Sequence, residues 1–317
     1  MSPFDRIRAA CRAVAAEARF VRIAEARLEP CARTLLAAEA PRSDPAHQRR
    51  ATPEATLAYV VTLDAVNFGS GWFPFLRKRP GCSGYFTMAL ALAEHCDARG
   101  PWSAAELRRI EAAELARVLG QDLAVPEVHE LLGLFAIALR DLGALLETRY
   151  AGSFAALVDA AGGRAARLVE RLAEMPFYRD VASLEGREVP FYKRAQITVA
   201  DLHQAFEGRG PGRFVDLDSL TIFADNLVPH VLRLEGVLVH EPVLVERIEA
   251  GELLAPGSRE EVEIRACAVD AVERLAAAAA RLGREIPVWR LDEMLWWRGQ
   301  RPEFKARPRH RTRSVFY

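Results

Sequence analysis

"SREEVEIRACAVDAVERLAAAAARL", residues 258–282, decides the class of the fold. Alanine is the strongest helix former, and a run of this length without Gly or Pro reads as one long helix. Pro256-Gly257 punctuates the chain just before it. The same helical signals recur outward. Ser2-Pro3 is a cap followed by a first-turn proline. Ser103-Ala104-Ala105-Glu106 is a capping box that opens an amphipathic run through Leu107, Ile110, Leu115 and Leu119. Pro126 starts another long helix carrying Leu131, Leu134, Phe135, Ile137, Leu142 and Leu145. Alternating strand patterns are confined to Tyr59–Thr62 and Gly236–His240. The expected class is all-α, one compact helical domain over 1–317, with "APRSDPAHQRRATP" (40–53) as a polar linker or exposed loop. No repeat of fixed period interrupts it.

Composition narrows the function classes. Half of the 317 residues are hydrophobic, enough for a sizeable core, and 43 basic residues balance 43 acidic ones. A chain without net charge has no global field to hold a long nucleic acid, so a small ligand fits better. No stretch approaches eighteen uninterrupted apolar residues, and the first residues lack an apolar leader, so a cytoplasmic protein without a membrane span is expected. The five scattered cysteines form no CxxC and read as reduced, mostly buried thiols. No Cys or His pair has ligand spacing, so zinc is not expected. Walker, GxGxxG and GxSxG patterns are absent.

Five constellations place chemistry-bearing side chains together. In "VPFYKRAQITVADLH" (189–203), Phe191, Ala195, Val199, Leu202 and Phe206 just beyond it form a packing stripe at ~100° per residue. Asp201 flanks that stripe in line with Arg194 and Thr198, while Lys193 points further away. The arrangement suits either a solvated ion pair along a helix edge or the wall of a cleft. In "FVDLDSLTIFADNLVPHVLR" (214–233), Asp216 or Asp218 can cap a following helix, and Leu217, Leu220, Phe223 and Leu227 pack. Pro229 disfavours helix at Val228, which puts Asp225 and Asn226 near the helix's last turn, the wrong end of its dipole for an acid.

In "VWRLDEMLWW" (288–297), Val288, Trp289, Leu295 and Trp296 surround Asp292. A carboxylate in an apolar, aromatic face is expensive unless it is paired or binds something. In "LDAVNFGSGWFP" (63–74), Asp64 and Asn67 share a helical face, and a glycine-permissive turn presents Trp72, an arrangement suited to a flat heterocycle with donor edges. The terminal "RPRHRTRSVFY" ends in an apolar triplet that should dock and bring His310 and Arg311 to a phosphate.

Together these segments resemble the queuosine salvage family of queuosine 5′-phosphate N-glycosylases. The resemblance rests on "FYKRAQITVAD" (191–201), "FVDLDSLTIFADNLVPHVL" (214–232), "REEVEIRAC" (259–267), "LDEMLWW" (291–297), "HRTRSVFY" (310–317) and "LDAVNFGSGWFP", and spans the chain from about residue 55 to its end. It implies a hydrolase that releases queuine from queuosine 5′-monophosphate for reuse in tRNA modification, on a scaffold distantly similar to helix-hairpin-helix DNA glycosylases. Lys193 then lies near the position of their site lysine. The hairpin glycines are incomplete, which argues against duplex DNA binding.

Cutting an N-glycosidic bond builds positive charge on ribose C1′ and O4′, so at least two kinds of acid are required, one at the sugar and one at the base. The candidates are Asp225 on the base beside Phe223, with Asp292 or Asp201 facing the sugar and Asp216 behind them. Lys193, His310 and Arg311 would hold the 5′-phosphate, and Trp72, Trp289 and Trp296 are stacking candidates. The implied partner is a small modified nucleotide, bound by a monomer, and no metal or organic cofactor is needed, since water is the nucleophile. Two other readings compete: a base-excision glycosylase acting on nucleic acid, which needs a basic stripe, and a non-catalytic helical binding protein, which needs an exposed apolar groove.

Overall fold

The computed structural model describes residues 1–38 and 50–317. It is mostly helical, with two small antiparallel sheets. Along the chain come α1 (Pro3–Ala16), β1 (Val21–Ile23), α2 (Glu25–Leu36), α3 (Pro53–Ala65), α4 (Gly84–Arg99), α5 (Ala104–Leu107), α6 (Ala112–Leu119), α7 (Pro126–Tyr150), α8 (Phe154–Asp159) and α9 (Ala165–Leu172). Then follow β2 (Val181–Leu184), β3 (Arg187–Pro190), α10 (Lys193–Ala205), α11 (Val228–Leu234), β4 (Leu238–His240), α12 (Pro242–Glu249), α13 (Arg259–Arg281), α14 (Val288–Gly299) and α15 (Pro302–Lys305). The expected loop at 40–53 lies outside the described residues as far as 49; its last residues, Thr52 and Pro53, cap and start α3. Among the described residues no helix is long and apolar enough to cross a membrane.

The chain divides into two compact units, each assembled from three segments. The first unites Met1–Arg42, Asp180–Lys193 and Asp218–Arg313. Its axis is α13, where every residue from Glu261 to Val272 is buried. α1, α2, α14 and β1 pack around that helix. Small side chains such as Ala266, Ala268 and Ala271 let neighbours approach from several sides, so the alanine richness serves packing as well as helix propensity. β1 pairs with β4, Val21 opposite His240 and Ile23 opposite Leu238. β2 and β3 form a hairpin whose two-residue loop, Glu185-Gly186, has positive φ at both positions (51° and 79°), as a type I′ turn requires.

The second unit unites Ser43–Arg179, Arg194–Leu217 and Ser314–Tyr317, with α7 packed against α3, α5, α6 and α8. The capping box at Ser103 forms as expected, yet it opens only the short α5. The apolar run is broken by extended backbone at Glu111 (φ −120°, ψ 157°), which starts α6. Tyr59–Thr62 is not a strand. It lies inside α3, whose residues from Thr56 to Ala65 are all buried, and a helix covered all round has no polar face to reveal its period. The last residue docks as expected: Tyr317 is buried and its carbonyl accepts the N–H of Gly69 at 3.0 Å. Gly69 has φ +99°, and a Cβ there would lie 2.5 Å from Leu131, so that turn requires glycine.

Candidate active site

The first unit holds a pair of aspartates on two different elements. Asp292 is on α14, buried between Leu291 and Leu295, as its place in an apolar stripe suggested. Asp225 belongs to irregular backbone between a single 3-10 turn (Leu217–Ser219) and α11. Its Oδ1 accepts the N–H groups of Leu227 (2.7 Å) and Val228 (3.1 Å). The expectation of Asp225 at a helix C-terminus is therefore corrected. The backbone running into it from Leu220 is irregular; Pro229 sits in the first turn of α11, where its missing N–H costs nothing, and the acid lies at the favourable end of the dipole.

Asp292 Oδ1 accepts the N–H of Phe223 at 2.9 Å, which ties α14 to the Asp225 segment. Its pKa is raised well above the ordinary carboxyl value. Loss of solvation is the main cause, the charge of Asp225 adds to it, and the Phe223 N–H and Lys193 oppose it. The electrostatic ties among Asp292, Asp225 and Lys193 bring together three of the residues singled out in the sequence. Two acids sharing one neighbourhood do not both ionise readily, which favours the protonated form of Asp292.

Lys193 is buried at the first position of α10, and its N–H donates to Asp180 Oδ2 at 3.1 Å. Asp180 is gripped by Arg265 of α13 through both oxygens, Nη1 to Oδ1 at 3.1 Å and Nη2 to Oδ2 at 2.6 Å. Both side chains are almost wholly buried, so removing either partner should cost about 3–5 kcal/mol by leaving the other charge uncompensated. Sequence reading missed this pair. The signal was present in α13, where Glu261 and Arg265 share a face with Val269 and Val272, the same anomaly that marked Asp292.

The C-terminal arginines Arg309 and Arg311 belong to the same unit. Arg309 lies within electrostatic reach of Asp225, with its pKa lowered mainly by burial. Arg311 is half-buried, and its carbonyl accepts the Leu254 N–H at 2.8 Å. His310 is buried, and its carbonyl lies 3.4 Å from Asn226 Nδ2. Burial, followed by His240 and Arg309, pushes the His310 pKa well below the ordinary value, so the ring is neutral at pH 7 and brings no charge to a phosphate. Trp289 is buried, with its Nε1–H on Asp218 Oδ1 (3.1 Å) and the Arg290 guanidinium 4.2 Å from its ring. Trp296 is half-buried and meets Trp297 edge to face at 5.1 Å.

The remaining candidates belong to the second unit. Asp201 on α10 and Asp64 on α3 are buried, and both lie close enough to Tyr178 to help raise its pKa, behind the dominant effect of burial. Arg194 is sandwiched between the rings of Phe68 (4.7 Å) and Tyr178 (4.6 Å). It donates to the carbonyls of Ala65 (2.6 Å), Phe177 and Val315 (2.9 Å). With Arg194 and Asp201 both buried, the polar side of α10 is no solvated helix edge. Asn67 is half-buried just beyond the end of α3. Trp72 is buried and donates its Nε1–H to Glu130 at 2.8 Å. Asp216 accepts the N–H groups of Ala165 (2.6 Å) and Ala166 (3.2 Å), capping α9 from a distance. Asp216→Ala should cost about 1 kcal/mol in urea unfolding, the size of one helix cap. Among the described residues no group of three or more His, Cys, Asp and Glu is placed to hold a metal ion.

Comparison with known proteins supplies an independent line. A family described as queuosine salvage protein matches residues 46–317. A protein of Sphaerobacter thermophilus named queuosine 5′-phosphate N-glycosylase/hydrolase is 39% identical over 269 residues, covering 83% of this chain and 82% of its own. Proteins with the same name from Mus musculus and Bos taurus are each 34% identical, over 293 and 292 residues. Each of these alignments covers 84% of this chain; they cover 84% of the mouse protein and 83% of the bovine one.

Proposed function

The chain belongs to the queuosine salvage protein family, and on that premise we propose that it hydrolyses the N-glycosidic bond of queuosine 5′-phosphate, releasing queuine and ribose 5-phosphate. The observation that carries this reading is buried Asp292, tied to the Asp225 segment through the Phe223 N–H and pushed towards its protonated form by burial and by Asp225, with Lys193 in electrostatic reach.

The leaving base takes both electrons of the C1′–N bond, and the sugar becomes cationic. Water then adds to C1′ and loses a proton. Queuine is a 7-deazapurine, so the ring atom that usually accepts a proton in purine departure is carbon, and the released nitrogen itself must be protonated. The protonated carboxyl of Asp292 is suited to give that proton. The Asp225 carboxylate is suited to stabilise charge on C1′ and O4′ and to accept the proton of the attacking water. This exchanges the roles suggested by the sequence, because a carboxyl held neutral offers no charge to a cation. The Lys193 ammonium is our candidate for the 5′-phosphate. We also read the turn before α10, with Lys193 at its start, as a distant counterpart of the hairpin and site lysine of helix-hairpin-helix glycosylases.

The test is incubation of the purified protein with queuosine 5′-phosphate, queuosine, GMP and AMP, followed by chromatography. Queuine release from the phosphate, with no base freed from GMP or AMP, is the expected result. No release from any of them would overturn the reading. Salt-sensitive binding to duplex DNA with base excision would favour the nucleic-acid alternative, against which the balanced charge of the chain argues.

A further inference from the structure

We infer that Arg265, clamped by Asp180 and stacked on Phe191, is a positioning residue that sets Lys193 and Asp225 relative to each other. The inference rests on the function proposed above and adds to it a residue without a direct role in the chemistry. One guanidinium makes three kinds of contact. Its fork holds both oxygens of Asp180, at 2.6 and 3.1 Å. Its Nε–H donates to the carbonyl of Ala224, the residue before Asp225, at 2.9 Å. Its plane lies 3.9 Å from the centre of the Phe191 ring. A weaker contact reaches Glu261 at 3.4 Å, one turn back along α13.

Asp180 transmits the other half of the arrangement. Its Oδ2 accepts the N–H of Lys193, and its backbone carbonyl accepts the N–H groups of Phe191 (2.8 Å) and Tyr192 (3.2 Å). Tyr192 is held at φ +47°, a conformation that a bulky residue adopts only where its surroundings fix it. From α13, therefore, a single side chain fixes the backbone on which Lys193 is mounted and the backbone on which Asp225 is mounted. Only arginine supplies a flat fork, a third donor and a stacking plane at once; lysine, a point charge, supplies one of these at a time. Displacements of about 1 Å in such a frame are worth up to about 100-fold in rate.

The experiment is a double-mutant cycle on queuine release from queuosine 5′-phosphate, with near-ultraviolet circular dichroism confirming the fold of each variant. Arg265→Lys should lower kcat/KM by roughly 10–100-fold. In a Lys193→Met background, the same change should cost at least about threefold less, because the part of its effect that passes through Lys193 is already removed. Equal penalties in both backgrounds, or wild-type kcat/KM for Arg265→Lys, would overturn the inference while leaving the proposed function standing. Absence of queuine release from the wild-type protein would instead remove the function and the inference together. Should Arg265→Lys not fold, Phe191→Leu, which removes the stacking plane without touching a charge, runs the same cycle. It is expected to give the same non-additivity, and additive losses would overturn the inference.

Discussion

Asp292→Asn is expected to cut queuine release from queuosine 5′-phosphate by roughly 10²–10⁴-fold, the range for losing a general acid, while raising the unfolding temperature at neutral pH. The two effects have one cause. The Asp292 carboxyl has a pKa raised well above 3.8 in the folded protein, by burial first and Asp225 second. A carboxyl raised on folding leaves stability intact below its unfolded pKa, and that stability is lost as pH rises towards the folded value. At neutral pH the acid is therefore a burden on the fold. Asparagine has no such proton to lose, and its Oδ1 still accepts the Phe223 N–H. Thermal unfolding of both proteins at pH 4 and pH 7 checks the sign: the advantage of asparagine should appear at pH 7 and vanish at pH 4. Asp225→Asn should move the pH–rate limb that reports Asp292 to lower pH, since it removes one of the charges holding that pKa up.

Acidification should unfold the protein through its buried histidines, His310 and two others. His230 on α11 is pushed down to about 4, mainly by burial, against a hydrogen-bonded contact of its Nε2 with the Phe304 carbonyl at 3.0 Å. His240 on β4 is pushed down to about 3, again mainly by burial, with Arg233 and His230 adding to it. A histidine depressed on folding contributes stability that is present above its unfolded pKa and lost as pH falls through the folded one. The window runs from about 6.5 to about 3. At 1.36 kcal/mol per unit, His230 accounts for about 3 kcal/mol and His240 for about 5 kcal/mol when the loss is complete. The urea midpoint should fall steeply between pH 6.5 and pH 5. His240→Leu should flatten that fall, since neither ring nitrogen of His240 has a hydrogen-bond partner to lose among the described residues. An unchanged slope in this variant would exclude His240 from the transition.

How much of this could be read from the letters differed from place to place, for physical reasons. Helices announced by local chemistry were legible: Ser2 and Ser103 cap and Pro126 starts as expected, and the alanine-rich run from Ser258 forms one helix. The strands, apart from β4, were not, because three or four residues hold too few alternations to show a period of two. Asp292 was legible because a carboxylate in an aromatic stripe is anomalous within its own helix. Asp180 was hidden because its meaning depends on Arg265, 85 positions away. Asp225 was singled out for the wrong reason. Pro229 was read as ending one helix when it starts another, a choice that sequence leaves open because proline suits both sides of a boundary. Asp216 was a candidate for the site and instead caps α9, which only a contact across 51 positions reveals.

The most direct measurement compares queuine release by Asp225→Asn, by Asp292→Asn and by the protein carrying both changes. If the two carboxyls act as one acid–base unit, the double variant should be no slower than the worse single one. Losses that multiply, or a double variant that turns over at the wild-type rate, would contradict the account.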